Sequence, residues 1–109
     1  MVNLQRYRET KSLLRRQIPV ARRVLGDSHD LTLKMRKVYA ESLYEHSDAT
    51  LDDLREAVVT LEETARIARR VLGDAHPSTT VIEGAMREAR ATLRARETQP
   101  ADDLAEEVD

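Results

Sequence analysis

The amino-acid sequence predicts an all-α protein, a stack of antiparallel helix hairpins made of four helices. Composition is the first reason: the only aromatic residues among 109 are three tyrosines, so Leu, Val, Ala, Ile and Met must form the core. The second reason is an internal repeat, because ARRVLGDSHD at residues 21–30 returns 47 residues later as ARRVLGDAHP at residues 68–77. A repeat in so short a chain is typical of folds that stack one structural unit.

The first and third helices are predicted from residues, mostly apolar, at alternating spacings of three and four, which form one face of an amphipathic helix. They are Leu4, Tyr7, Lys11, Leu14, Ile18, Ala21 and Leu25 in the first helix, and Leu51, Leu54, Val58, Leu61, Ala65, Ala68 and Leu72 in the third. The two stripes superpose at the offset of 47 residues, so the repeated unit is a helix together with its exit. Pro19 lies inside the first helix and predicts a kink near Arg15.

Two shorter helices complete the prediction. The second helix spans about 30–46 and the fourth runs from Pro77 to about Arg96. Their apolar positions are Leu31, Met35, Val38, Tyr39 and Leu43, followed by Val81, Ile82, Ala85, Met86, Ala89 and Leu93. We expect residues 1–97 to form one helical repeat domain and residues 98–109, which end in ADDLAEEVD, to form an acidic disordered tail.

The repeated decapeptide is interpreted as a joint that ends one helix and starts the next. Gly26 and Gly73 follow the last apolar residue of their helices, where a left-handed backbone favours glycine. His29 and His76 occupy equivalent joint positions, and a catalytic pair would have no reason to follow the packing period. We therefore expect both histidines to bond the local backbone or pack under the turn, and His46, at a helix end, to face solvent.

Several function classes are disfavoured by what the sequence lacks. It has no cysteine, no Glu-x-x-His pair, no Gly-rich phosphate loop and no nucleophile elbow, so we predict no catalytic residue, no cofactor and no metal. The net charge of −2 and the shortage of aromatics argue against nucleic-acid binding. No apolar run is long enough to span a membrane and no signal peptide is visible, which favours a cytoplasmic protein that binds no membrane. Carboxylate pairs such as Asp52-Asp53 and Glu62-Glu63 are interpreted as solvated surface.

The joint sequence VLG-x-x-H followed by P-x-T resembles the joint between tetratricopeptide repeats of the kinesin light chain type, over roughly residues 4–96. The 47-residue unit is longer than the usual repeat, and the excess falls in the turn EHSDATLDDL. The resemblance implies a non-catalytic scaffold or adaptor that binds a protein or peptide on the concave face formed by the second and fourth helices. On that face it places Lys34, Lys37, Val38, Glu41, Tyr44, Glu45, Val81, Gly84, Ala85 and Glu88. Val38 and Ala85 stand where such repeats commonly have an Asn that binds the peptide backbone.

A self-associating structural protein, a homodimer without a separate ligand, is the alternative. On the first helix the flank carrying Leu13, Val20 and Val24 would lack a covering helix, although we expect Tyr7, Leu14, Ile18 and Leu25 to be buried against the second helix. On the fourth helix the uncovered stripe would be Ile82, Met86, Ala89 and Leu93. Either surface could form a two-fold interface.

Overall fold

The computed structural model describes the backbone of residues 4–108 and the side chains of residues 4–98. The described chain folds into four α-helices and contains no strand: α1 Leu4–Leu25, α2 Asp30–Tyr44, α3 Leu51–Leu72 and α4 Pro77–Val108. α1 and α3 have the same length of 22 residues, and their bounds differ by the predicted offset. The all-α prediction and the repeat of a helix with its exit are therefore confirmed.

The core lies among α2, α3 and α4. Its largest fully buried apolar side chains are Leu33, Leu43, Leu54, Leu61 and Ile82. α1 packs on α2 and contributes one buried residue, Ala21, which is 8% exposed, while Leu14 and Ile18 are half-buried against the core. The expected burial of Leu25 is wrong, because this residue at the last turn of α1 remains exposed.

Both joints have the geometry that the repeat predicts. Gly26 and Gly73 have φ values of 95° and 96°, and the Gly73 N–H donates to the carbonyls of Ala68 and Arg69. The Nδ1 atom of His29 accepts a hydrogen bond from the Leu31 N–H at 3.1 Å, and His76 does the same for the Ser78 N–H at 3.0 Å. The expectation that these histidines bond the local backbone is confirmed, and each caps the helix that follows it.

The turn between α2 and α3 ends in a capping box. The Thr50 hydroxyl accepts from the Asp53 N–H at 3.0 Å, and the Asp53 carboxylate accepts from the Thr50 N–H at 3.1 Å. This reciprocal pair satisfies two backbone donors at the helix start. Ala49 is buried just before it, so the long turn predicted from EHSDATLDDL is anchored at its end.

Polar side chains also connect neighbouring helices. The Tyr39 hydroxyl on α2 accepts from Arg15 Nε on α1 at 3.0 Å and donates to the Glu56 carboxylate on α3. Arg36 Nη2 of α2 lies 2.9 Å from a Glu63 carboxylate oxygen of α3. The Arg36 side chain is only 11% exposed. Glu63 therefore pairs with a mostly buried charge, which differs from its interpretation as solvated surface.

Glu62 and His46 also differ from their interpretation as solvent-exposed groups, whereas Asp52 agrees with it. Glu62 binds Arg90 Nη2 at 2.7 Å and so joins α3 to α4. Asp52 fits the interpretation, with a side chain that is 95% exposed. His46 is half-buried, because its ring packs on Tyr7 with the two ring centroids 5.1 Å apart.

The two surfaces predicted to lack a covering helix have different outcomes. On α1, Leu13, Val20 and Val24 are exposed, as expected. The prediction for α4 is wrong: Ile82, Met86 and Ala89 are buried and Leu93 is half-buried against the core. The reason is that α3 packs on α4 and covers the same stripe.

The helix α4 continues past the domain boundary that we predicted. Its backbone is helical as far as Val108, whereas we expected residues 98–109 to be disordered. Residues 89–99 consist largely of Ala, Arg, Leu, Glu and Gln, which favour helix, and the helical backbone continues past Pro100. Side chains beyond Thr98 lie outside the described residues, and the division of the chain into residues 1–97 and 98–109 stays a prediction.

Candidate protein-interaction face

The residues predicted to bind a partner lie on α2 and α4, which pack against each other. The two helices begin at equivalent positions of the repeat, and a side-chain contact joins their first turns. The Ser78 hydroxyl on α4 donates to an Asp30 carboxylate oxygen on α2 at 2.8 Å, and Lys34 Nζ lies 3.1 Å from the other Asp30 oxygen. The hydrogen bond from Ser78, followed by that from Lys34, lowers the pKa of Asp30. A charged Asp30 therefore holds the two helix starts together.

An apolar groove lies between these first turns. It has a volume of about 390 Å³ and is lined by Lys34, Lys37, Val38, Pro77, Ser78, Val81 and Ile82. Val38 and Val81 face each other's helix across it and remain 42% and 53% exposed. The structure thus brings four of the ten predicted residues together around one groove, which we call the α2–α4 groove.

The lysines of the α2–α4 groove are held by carboxylates. Lys34 pairs with Asp30, and Lys37 Nζ lies 2.7 Å from a Glu41 carboxylate oxygen one turn along α2. Both members of the second pair are about four-fifths buried. The lysine stems can add apolar surface to the groove while their ammonium groups stay paired.

The other predicted residues lie further along the two helices, where the charge is negative. Burial, followed by Glu88, Glu45 and Glu41, raises the pKa of Tyr44. Burial and the carboxylates of Glu41 and Glu88 also raise the pKa of Glu45, against the opposing effect of Lys37. The charges of Glu41 and Glu88 thus both act on Glu45, so this acidic end favours a positively charged group.

Three of the ten residues have little or no side chain on the surface. Tyr44 is only 4% exposed, and its hydroxyl has no hydrogen-bond partner among the described residues. Ala85 is buried, and Gly84 presents backbone alone. These positions support or shape the face from beneath, and the remaining seven side chains are the ones that a partner can reach.

Sequence reasoning missed three groove residues, Pro77, Ser78 and Ile82. From the sequence, Pro77 is predicted only as the start of a helix, and Ser78 has no predicted role. In the repeat they are equivalent to Asp30 and Leu31. This equivalence could have indicated that the first turns of α4 and α2 lie side by side. Ile82 lies one residue from Val81 and reaches both the core and the groove.

Two smaller cavities lie beside α1. One, of about 160 Å³, is lined by Leu4, Tyr7, Arg8, Lys11, Ser42, His46, Asp48 and Asp53; the other, of about 210 Å³, by Arg15, Ile18, Pro19, Arg36, Tyr39 and Thr60. Arg15 and Arg36 in the second cavity are already paired with acids of α3. Within residues 4–98, no three His, Cys, Asp or Glu side chains are placed to hold a metal ion. None of the described helices is long and apolar enough to cross a membrane.

Comparison with known families identifies part of the chain. Residues 49–78 match the family model described as Tetratricopeptide repeat. The match covers α3 and the joint that starts α4, so this segment is similar to a tetratricopeptide repeat. Neither the curated proteins nor the solved structures contain a significant match to the chain.

Proposed function

We propose that this chain is a non-catalytic scaffold or adaptor, with repeats like those of the kinesin light chain, that binds an extended segment of a protein partner. The observation that carries the proposal is the α2–α4 groove with Val38 and Val81 exposed on its two sides. The tetratricopeptide match supports it, because stacked helical repeats use such surfaces for recognition. We place this activity in the cytoplasm, and we assign it no catalytic residue, cofactor or nucleic acid.

The groove suits an apolar anchor from the partner. Fully burying a Leu- or Phe-sized side chain contributes about 1.5–3 kcal/mol, and Val38 and Val81 with the stems of Lys34 and Lys37 supply the surface. Val38 and Ala85 provide no side-chain amide for the peptide backbone. Affinity therefore depends on side chains of the partner, which makes recognition selective for its sequence.

Charge determines where a basic residue of the partner would bind relative to the apolar anchor. Glu41, Glu45 and Glu88 favour a Lys or Arg of the partner beyond the anchor, while Gly84 lets its backbone approach α4. A basic residue would relieve the repulsion that raises the pKa of Glu45. We therefore expect bound segments to carry an apolar residue followed or preceded by a basic one.

Selection from a displayed random-peptide library, followed by titration of the selected peptides, tests the proposal. Val81→Glu should weaken their binding at least about tenfold, since a charge would enter the apolar groove. Val59→Glu is the matched control, because Val59 on α3 is also 53% exposed but does not line the groove. A library that yields no binders, or binders that respond equally to both substitutions, would contradict the proposed site.

The second candidate function is self-association into a homodimer. It is favoured by Leu13, Val20 and Val24, which leave apolar surface exposed on one side of α1. A self-associating structural protein would need no separate ligand in the α2–α4 groove. Sedimentation of the purified chain tests self-association, because a dimer has twice the monomeric mass, and titration of the selected peptides tests the groove separately.

A further inference from the structure

The exposed apolar residues of α1 lie along one side of the helix. Leu13, Val20 and Val24 are separated by seven and four residues, and they are 50%, 41% and 71% exposed. These spacings correspond to two turns and one turn, so the three side chains form a continuous stripe. We call it the α1 outer stripe.

The repeat allows the α1 outer stripe to be compared with the corresponding side of α3. The positions of α3 equivalent to Leu13 and Val20 are Thr60 and Ile67, which are both half-buried, whereas Val71, the equivalent of Val24, is 46% exposed. Thr60 and Ile67 lie on the side of α3 that meets α2, between and after the residues that bind α2 side chains, Glu56 and Glu63. On α3 a helix thus covers the part of this side that corresponds to Leu13 and Val20, whereas no described helix covers that part on α1. The α1 outer stripe is a helix-docking surface.

The described part of α4 does not offer a suitable partner surface. Leu33, Ala40 and Leu43 of α2 are fully buried. Their equivalents on α4 are Thr80, Arg87 and Arg90, which are all exposed and polar. A second copy stacked head to tail would place the apolar α1 outer stripe on these polar residues, so such stacking would be weak.

Charge argues against direct contact between two α1 helices. α1 contains a single acid, Glu9, and seven basic residues: Arg6, Arg8, Lys11, Arg15, Arg16, Arg22 and Arg23. Arg16 and Arg23 are exposed and flank the outer stripe. Two such helices face to face would repel each other, and an acidic helix is the complementary partner.

The chain contains one segment with that character. Residues 99–109 carry five acids and no base, and the acids are Asp102, Asp103, Glu106, Glu107 and Asp109. Ala101, Leu104, Ala105 and Val108 follow the i, i+3, i+4, i+7 spacing of an amphipathic helix. The segment therefore complements the α1 outer stripe in charge and in apolar spacing.

The same molecule cannot easily make this contact. Arg96 donates to the carbonyl of Ala49 at 2.7 Å, so α4 passes residue 96 at the end of the stack where α3 starts. α1 also begins at this end, because Tyr7 packs on His46, and Val24 lies roughly 30 Å away along α1. The helical residues 99–108 span only about 15 Å. The segment therefore does not reach Val24 and Arg23 of its own molecule, and contact along the whole stripe requires a second copy.

We infer that the acidic segment 99–109 of one copy docks on the α1 outer stripe of a second copy. Reciprocal exchange of the two segments closes a two-fold dimer without any further interface. The docking does not depend on peptide binding in the α2–α4 groove, and it gives the homodimer proposed above a specific contact surface.

Analytical ultracentrifugation of the full-length protein at about 100 μM and low salt tests the inference. Wild type should be dimeric, and 0.5 M NaCl should shift it toward monomer because the contact is largely electrostatic. The acidic-segment variant Asp103→Lys/Glu106→Lys and the α1 variant Arg16→Glu/Arg23→Glu should each weaken the dimer about tenfold or more. Asp52→Lys, at an exposed acid of α3, is the control for charge reversal away from the proposed contact and should leave the mass unchanged.

Combining the two charge reversals in one chain provides the decisive measurement. The combined variant should recover the dimer, since opposite charges again face each other, and circular dichroism would show whether the α1 variant remains folded. A monomeric wild type would overturn the inference. So would a dimer that survives the acidic-segment variant, which would indicate direct contact between α1 helices, or a combined variant that stays as weak as the single variants. None of these results bears on the groove, which Val81→Glu tests separately.

Discussion

Gly73→Ala isolates the energetic role of the joint from any effect of packing. Gly73 has φ 96° and ψ 157°, a backbone conformation that is essentially confined to glycine. A Cβ built at this residue meets no atom within 4 Å. The substitution therefore creates no steric clash with the rest of the protein, and its cost is the backbone strain of residue 73 itself.

The expected loss follows from two opposing contributions. Holding a non-glycine residue in this region costs about 1–3 kcal/mol. Alanine also restricts the unfolded chain, which returns about 0.4–1 kcal/mol to the folded state. We expect Gly73→Ala to lower the free energy of unfolding by about 1–2 kcal/mol, and Gly26→Ala, at φ 95° with equally open surroundings, to do the same.

Gly84→Ala is the matched control. Gly84 also has no atom within 4 Å of a built Cβ, but it lies inside α4. Alanine favours helix over glycine, so this substitution should raise the free energy of unfolding by about 0.5–1 kcal/mol. Urea unfolding followed by circular dichroism at 222 nm measures all three variants. Effects of the same sign at Gly73 and Gly84 would refute the view that the joint is a conformational helix stop.

Three further predictions use the same unfolding assay. For Glu63→Ala, sequence alone predicts a change in stability of no more than about 0.5 kcal/mol. In the structure this substitution leaves the mostly buried Arg36 without its partner, so we expect a loss of about 1 kcal/mol. A loss no larger than that of Asp52→Ala would contradict this. Glu45→Gln should stabilise the protein at pH 7, because the raised pKa of Glu45 means that folding disfavours the charged carboxylate. This gain in stability should vanish as the pH falls below 4.5, the ordinary pKa of a glutamate, where the carboxyl is protonated in both states. A gain that does not depend on pH would disprove the prediction. His76→Ala should cost about 1 kcal/mol through loss of the helix cap, whereas His76→Asn should retain most of the stability, and equal losses would exclude capping by the Nδ1 atom.

Much of the fold could be predicted because the repeat constrains it twice. The offset of 47 residues assigns equivalent bounds to α1 and α3, and it equates Gly26 with Gly73 and His29 with His76. These features are local in sequence, so capping and backbone preferences determine them. The burial of Ile82, Met86 and Ala89 on α4 could not be predicted in this way, since it depends on how α3 packs against α4.

The candidate site was accessible to sequence reasoning only in part. Helical spacing and the family resemblance selected Lys34, Lys37, Val38 and Val81, which the structure brings to one groove. The burial of Tyr44 could not be inferred, because it depends on the distance between two helices. Contacts such as Arg36 with Glu63 join residues far apart in sequence, and they require the register of one helix against another.

The uneven share of the core has a dynamic consequence. Nearly all the buried side chains among residues 4–98 belong to α2, α3 and α4, whereas α1 contributes Ala21 alone. α1 should therefore detach in a sub-global opening that leaves the other three helices folded, and its amides should exchange with deuterium before those of α3. A molecule docked on the outside of α1 would slow that exchange selectively, so hydrogen exchange in this one helix would report on association at concentrations where the change in mass is small.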